Sequence, residues 1–500
     1  MEENKTQVRK VVIILSICIF IFSIFLVSKE MQNDTFFTIR IGNDVFENGM
    51  SRVDNLTIHD NIQFIHLRWA FDAIIAILYN LFSFKGIYIF TAIYTGIIGV
   101  SFFNVMLKRK INIVIAFIFT IFAMIAASGG FAARAQLISY LLFIIEIYLI
   151  EKVIEKKNIN DIILLTLLPI LIANFHASVL PMYFVLFMPY VAEGIIYQIL
   201  RKIKKDKSED SSYSLGKLEI KSQPLKNLFS IMAAGFILGL CSPAFIDGYT
   251  YMFKCIGGAS SKIINELHNI TIQGSYLVWI MFFVFILLLI FKDTKLRMKD
   301  FFLILGLGLM AFLAGRNKIF FYFIGTFSMA NFIQSSELIM KAVNIAYLRL
   351  YKNNLIIIIV CLATAVCSFT FYIVRQKEVY VSNTSYPIKA TEYIKENIDI
   401  ESMRLYNHLN FGSYLELNHI PAFIDSRTEI YCIEFNPNAL LVEWNIAESG
   451  RDDYDYLFEK YNITHVLLYN SELINIYIKK DKKYEQIYTD GSFTLYKRLY

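Results

Sequence analysis

Asp34 follows the apolar run VVIILSICIFIFSIFLVS (11–28) and leads the stretch NDTFFTIRIGNDVFENG (33–49). A carboxylate just outside hydrocarbon can act as a general base toward a hydroxyl within hydrogen-bond reach. Asp72, inside WAFDAIIAILYNLFSF (69–84), could be a second acidic group. Arg134 in SGGFAARAQ (128–136), and Arg316 with Lys318 in GRNK (315–318), could hold an anion, because guanidinium forks match phosphate oxygens. His176 in NFHAS (174–178) could orient a substrate or bind a metal. Each also has a plainer reading. Asp34 would cap a helix begun by DTFF, Asp72 would face water from an interfacial helix, the arginines would snorkel to lipid headgroups, and His176 would be a hydrogen-bonded structural residue.

The elements that must position these residues are membrane spans. The chain is 56% hydrophobic and 18% charged, which excludes an ordinary soluble domain. Runs of the length needed to cross about 30 Å of hydrocarbon recur along it. We read eleven: 11–28, 86–107, 111–128, 135–151, 160–178, 181–200, 228–246, 275–291, 301–315, 318–336 and 354–374. The first is too long for a signal-peptide core, and no small-x-small site follows it, so it reads as a retained span. The six cysteines are scattered and form no CxxC or metal spacing. Walker, GxGxxG and HExxH motifs are absent, as are internal repeats. The formal charge of +6 follows from how Lys and Arg flank the spans and implies no nucleic-acid partner.

Charge sets the topology. If 69–84 lies in the interface without crossing, KRK (108–110), EKVIEKK (151–157), RKIKKDK (201–207), KDTKLRMK (292–299) and Lys341–Lys352 all fall on the N-terminal side. Between residues 1 and 352 that side then holds 24 Lys and Arg, the other side 10. A full crossing by 69–84 would move KRK, EKVIEKK and RKIKKDK outside, against the positive-inside rule. The expectation is therefore an interfacial 69–84 helix, an inner N-terminus and an outer C-terminus. Asp34, 128–136, 174–178, the loop 247–274 and 315–318 then converge on the outer face.

From about residue 375 the composition turns polar. RLYN (404–407), PAFID (421–425), ITHVLLY (463–469), YEQIYTD (484–490) and SFTLYKR (492–498) read as strands. YPIKATEYIKENI (386–398) and DYDYLFEKY (453–461) read as helices. The domain organisation is thus a transmembrane domain over 1–374, with outer loops at 29–85 and 247–274, and an extracytoplasmic α/β domain over 375–500. Asp425, Arg427 and Glu429 read as a strand-end ion network. The Ser- and Lys-rich segment 204–226 reads as a linker.

In order, these features resemble the GT-C superfamily of membrane glycosyltransferases, which use sugars carried on polyprenyl phosphate. They are most similar to a poorly characterised bacterial group. Its first loop has an Asp, two aromatics and a Gly, here Asp34, Phe36, Phe37 and Gly42. An aromatic–acid pair follows (Trp69, Asp72), then Arg-x-Gln (Arg134, Gln136) and Asn-x-His (Asn174, His176). The tail pattern matches at Gly412, Tyr414, Leu415, Phe423, Ile424, Asp425, Arg427 and Tyr431. The chain departs where the paired aromatics are usually Trp, where Thr38 replaces a frequent His, and where Arg68 replaces an acid.

The resemblance implies an α-helical polytopic protein of the cytoplasmic membrane. It also implies an inverting glycosyltransferase that moves a sugar from a polyprenyl-phosphate carrier to a hydroxyl of an envelope glycan, lipid or protein. Asp34 and Asp72 would be catalytic. Arg134, Gln136, Asn174, His176, Arg316 and Lys318 would bind the substrate or carrier phosphate. The lipid-linked sugar is a substrate, no cofactor is certain, and a divalent metal stays open. Two alternatives stand beside it: a transporter or lipid-handling protein without chemistry, which would bury ionisable residues mid-span and show a repeat, and a non-catalytic member of the same fold. Glu146 and Glu193 are the plainest mid-span charges.

The topology is tested by cysteine labelling in a cysteine-free background. A membrane-impermeant maleimide should modify Asp490→Cys from outside and spare Asp206→Cys; the reverse pattern defeats the arrangement.

Overall fold

The computed structural model describes residues 2–204, 212–213, 216–217, 220–256, 258–290, 296–375, 379–437, 439–449 and 454–499. Part of the expected 204–226 linker lies outside them, and its last residues open the helix Ser222–Leu238. The chain divides into two compact units. The first joins Met1–Ser28, Tyr88–Tyr249 and Glu266–Gln376; the second joins Lys29–Ile87, Thr250–Asn265 and Lys377–Tyr500.

The first unit is helical and apolar. Among the described residues of the whole chain, six helices are by themselves long and apolar enough to cross a membrane. The other expected spans fall on the helices Gln136–Glu155, Ile159–Phe175, Ser222–Leu238 and Met298–Leu313, and on Thr326–Gln334, which continues from Lys318–Phe320 through a π-turn at Phe321–Gly325. This is a multi-pass membrane protein. Helix α1 (Glu2–Ile24) packs on the helix Asn354–Arg375 through Phe22 and Phe371, whose ring centroids are 5.9 Å apart, and through Cys18 and Cys361, whose sulfurs are 3.5 Å apart.

An ion in hydrocarbon is costly unless paired, and several basic groups near the ends of these helices are paired. The buried Glu151 meets Arg109 at 2.8 Å, Lys299 at 3.2 Å and Arg297 at 3.5 Å. Three of the basic clusters expected on one side therefore share one ion network. Glu193 is satisfied, accepting from the backbone N–H groups of Ile220 and Lys299. Glu146 is fully buried and neither of its oxygens has a hydrogen-bond partner.

The second unit combines the segment after the first span with the tail. Helix α2 (Asn33–Asn48) is followed by an irregular stretch and then by the long run α3 (Trp69–Lys108). That run is two helices end to end, because Ser83 is not helical (φ 56°, ψ −159°). The break parts the aromatic segment carrying Asp72 from the apolar stretch after it.

The tail sheet has strands β1 (Leu405–Asn407), β2 (His465–Tyr469), β3 (Tyr484–Thr489) and β4 (Phe493–Arg498), in the order β1-β2-β4-β3. β1 runs parallel to β2; the other pairs are antiparallel. Helices Ile388–Asn397 and Tyr454–Lys460 stand where the sequence suggests. Three short helices were not legible: Leu409–Leu417, Leu440–Glu448 and Leu473–Ile478.

PAFID is not a strand. Its backbone is engaged by the segment after α2, where Ile58 N–H donates to the Ala422 carbonyl (3.0 Å) and His59 Nε2 meets the Phe423 carbonyl (2.8 Å), and by β1, where Asn407 Oδ1 accepts from Phe423 N–H (2.7 Å). Around it, buried aromatic and aliphatic side chains from both sequence segments, including Ile58, Ile62, Tyr406, Phe423 and Tyr431, form one core.

Gly42 sets the closeness of α2 to α3. A Cβ there would sit 2.2 Å from the Asp72 carbonyl oxygen and 2.6 Å from the Ala76 Cβ. Gly42→Ala must push the helices apart, and such overpacking typically costs about 1–3 kcal/mol. We expect a lower melting temperature by calorimetry for Gly42→Ala and none for Gly49→Ala beyond the strain of its positive φ, since nothing surrounds Gly49.

Candidate functional site

Asp34 lies in the first turn of α2, where a carboxylate is favoured by the helix dipole. It is not the N-cap; that position is Gln32. One and two turns further on the same face come Thr38 and Gly42, at i+4 and i+8. Thr38 is fully buried, and Gly42 rests on the Asp72 backbone. Gly42, two turns beyond Asp34, thus packs α2 on the helix that bears Asp72. Asp72 is buried at 1% exposure and pairs with Arg68 at 3.3 Å. Arg68 also lies over the Phe37 ring, 4.0 Å from its centroid. Two departures from the group's pattern, Phe37 and Arg68, therefore touch each other.

The start of α2 is held from the tail. Asn33 Nδ2 donates to the Leu409 carbonyl at 2.8 Å, and Phe36 meets Tyr386 and Tyr414 edge-on at 4.7 and 5.3 Å between centroids. Asn33 was missed from sequence, and Thr38 and Arg68 were read only as departures from the group's pattern. The signal for Thr38 and Arg68 was there, in their i, i+4 relation to Asp34 and Asp72.

The other candidates belong to the first unit. Arg134 follows the 3-10 turn Ser128–Gly130 and pairs through Nη1 with both oxygens of Glu266, at 3.3 Å each. Glu266 was not singled out by sequence. Tyr140, within the next helix, lies in electrostatic reach of Arg134, Arg316 and Glu266, so these groups share one neighbourhood. Gly130 lets the chain pass close by, since a Cβ there would meet the Tyr140 hydroxyl at 2.8 Å and Ile319 at 2.1 Å. The segment at 266–270 is fixed to the turn Gly315–Asn317 by Gly315 N–H to the His268 carbonyl (3.0 Å). The Arg316 side chain is exposed and forms no ion pair among the described residues. Lys318 is partly exposed beside it.

Gln136 begins the helix after Arg134, and its Oε1 is buried without a hydrogen-bond partner. His176 is buried and its Nδ1 lies 2.7 Å from Ser139 Oγ. Asn174 donates to the carbonyls of Ile170 and Cys241, both at 2.8 Å. The histidine and asparagine hold helix ends together, while the arginines, Lys318 and Gln136 offer donors at those ends.

In the tail, Asp425 and Arg427 are buried, and Glu429 has no part in their network. Arg427 contacts Asp425, Glu416 (3.0 Å) and Asp54 (2.5 Å), and Tyr431 donates to Asp425. Burial alone would raise the Asp425 carboxyl, but Arg427 and its hydrogen bonds hold it at about 2. Burial pushes Glu416 well above the ordinary carboxylate range, against the pull of Arg427.

His408, Glu448 and Glu472 place one ligand-type atom each within 4.8 Å of the others. His408 Nδ1 accepts from Asn410 N–H (3.1 Å), so the neutral ring carries its proton on Nε2, which faces Glu472 Oε1 at 3.7 Å. Burial raises Glu472 to about 9 and Glu448 to about 7, and lowers His408 to about 4. A carboxyl raised on folding contributes stability that is full below its unfolded pKa and lost as pH rises through the folded one. Between pH 7 and 9 His408 is silent, so the melting temperature should fall as pH rises through that window. Calorimetry of Glu472→Gln should show a flatter slope; an unchanged slope would exclude the glutamate as its source.

No family model matches the chain, and no curated protein matches it. Solved structures do. The oligosaccharyltransferase of Archaeoglobus fulgidus, tethered to an acceptor peptide containing an NVT sequon, aligns over 91% of this chain and 68% of its own, with TM-score 0.54 and 12% identity. ArnT from Cupriavidus metallidurans, bound to undecaprenyl phosphate, aligns over 97% of each chain with TM-score 0.52 and 10% identity. The archaeal oligosaccharyltransferase AglB, in complex with an inhibitory peptide and a dolichol-phosphate, gives TM-score 0.51 at 9% identity. The fold of this chain is that of ArnT and of these oligosaccharyltransferases.

Proposed function

We propose that the protein is an inverting glycosyltransferase of the cytoplasmic membrane that uses a polyprenyl-phosphate sugar at the outer face. The observation that carries the reading is the likeness to ArnT bound to undecaprenyl phosphate over nearly the whole chain, joined to an acid at the start of α2 in a face built against a second acid.

In this reading Asp34 accepts the proton of an acceptor hydroxyl as its oxygen attacks the anomeric carbon. The bond from that carbon to the carrier phosphate breaks, and the electron pair leaves with the phosphate. Asp72, balanced by Arg68, supports the acidic face. Arg134, Arg316 and Lys318 bind the carrier phosphate, with charge-assisted hydrogen bonds about twice as strong as neutral ones. Gln136 offers its side-chain amide, and Asn174 and His176 order the helix ends near it. The acceptor is an envelope hydroxyl, and the N-terminus is cytoplasmic.

A lipid-handling protein without catalysis is the second reading, favoured by the buried, unpartnered Glu146. The two differ in outcome. Purified protein in lipid, given a radiolabelled polyprenyl-phosphate sugar and envelope extract, should transfer label. Asp34→Asn should bind carrier yet lose about 10²–10⁴-fold in rate, while Arg316→Ala should mainly raise the KM for the carrier. Undiminished transfer by Asp34→Asn would remove it from the mechanism.

A further inference from the structure

Arg427 is 373 residues from Asp54 in sequence, and its Nη1 lies 2.5 Å from the Asp54 carboxylate. Both side chains are buried, at 4% and 1% exposure. Asp54 is held in turn by Thr57 Oγ1 at 2.9 Å, and Phe64 of the same segment faces the Arg427 guanidinium, 5.5 Å from its ring centroid. On the tail side Arg427 binds Asp425 and also Glu416, which belongs to the helix Leu409–Leu417. Leu409 at the start of that helix receives the Asn33 side chain, and Tyr414 packs on Phe36. Gly412 seats the helix on the 424–425 backbone, since a Cβ there would lie 1.9 Å from the Ile424 oxygen. One unbroken set of contacts therefore runs from Arg427 through Glu416 and its helix to Asn33 and Phe36, on either side of Asp34. A second runs through Asp54 into the segment between Asp34 and Asp72, and Arg427 itself exerts an electrostatic pull on Asp72.

We propose that Arg427 is a positioning residue: the tail uses it as a fixed cation that sets the first turn of α2, and with it the direction of Asp34. Arg427 touches no reacting atom. The inference rests on the glycosyltransferase reading for its consequence in rate, but not for its consequence in structure. A planar fork is needed, because one guanidinium must meet Asp54 with Nη1 and both Glu416 and Asp425 with Nη2 and Nε, which a lysine ammonium cannot span.

The test uses the full chain in lipid nanodiscs and two readouts. Hydrogen exchange should quicken at least tenfold at 33–38 in Arg427→Lys and in Asp54→Asn, with β2 and β4 as protected as in the unsubstituted protein. Transfer from the labelled lipid-linked sugar should lose kcat by about 10–100-fold with carrier KM unchanged, the scale of a misplacement near 1 Å, and Arg427→Lys should lose less than Arg427→Ala. Unchanged exchange at 33–38 in both Arg427→Lys and Asp54→Asn overturns the proposal, as does unchanged kcat in an active enzyme. Global loss of protection in Arg427→Ala leaves the decision to Asp54→Asn, which keeps the size and most hydrogen bonds of the site. If the unsubstituted protein transfers no sugar, the glycosyltransferase reading fails, and exchange at 33–38 still decides the positioning role.

Discussion

A guanidinium shut away from water must be surrounded by acceptors, and much of the second unit is arranged to meet that demand. Arg427 has three acidic side chains in contact and a tyrosine hydroxyl on one of them. Removing one partner of such a buried pair typically costs about 3–5 kcal/mol, because a charge is left uncompensated. These acids come from places that the chain must therefore bring together: the segment after α2, the helix Leu409–Leu417, and the end of PAFID. The unit is accordingly built from sequence that lies on both sides of the apolar helices.

This explains which parts of the fold were legible. Apolar runs announce themselves because the bilayer demands about 20 apolar residues regardless of what packs beside them. Strands such as HVLLY and FTLYKR alternate or run apolar in a way that local reading detects. PAFID misled because its apolar residues serve a mixed core while its backbone is bound by residues 56–59, a partner more than 360 positions away. The helix Leu409–Leu417 was hidden because its sequence, LNFGSYLEL, contains a glycine whose purpose is contact with Ile424.

The site residues divide in the same manner. Asp34, Arg134 and Arg316 were visible as charges at the ends of apolar runs, where a charged group has few casual reasons to be. Their partners were not visible. Glu266 lies in a long loop with no pattern to mark it, and Asn33, beside Asp34, had no distinguishing spacing. The i, i+4 relations of Thr38 to Asp34 and of Arg68 to Asp72 were readable in principle, since α2 and the start of α3 are regular helices.

The two readings of this fold, with and without chemistry, differ in what becomes of the carrier. The most direct measurement is mass spectrometry of the lipid extract after purified protein in nanodiscs has met a polyprenyl-phosphate hexose and envelope acceptors. The account predicts free polyprenyl phosphate appearing in step with a hexosylated product. Carrier that stays bound and intact, with neither species formed from any hexose tried, would contradict it.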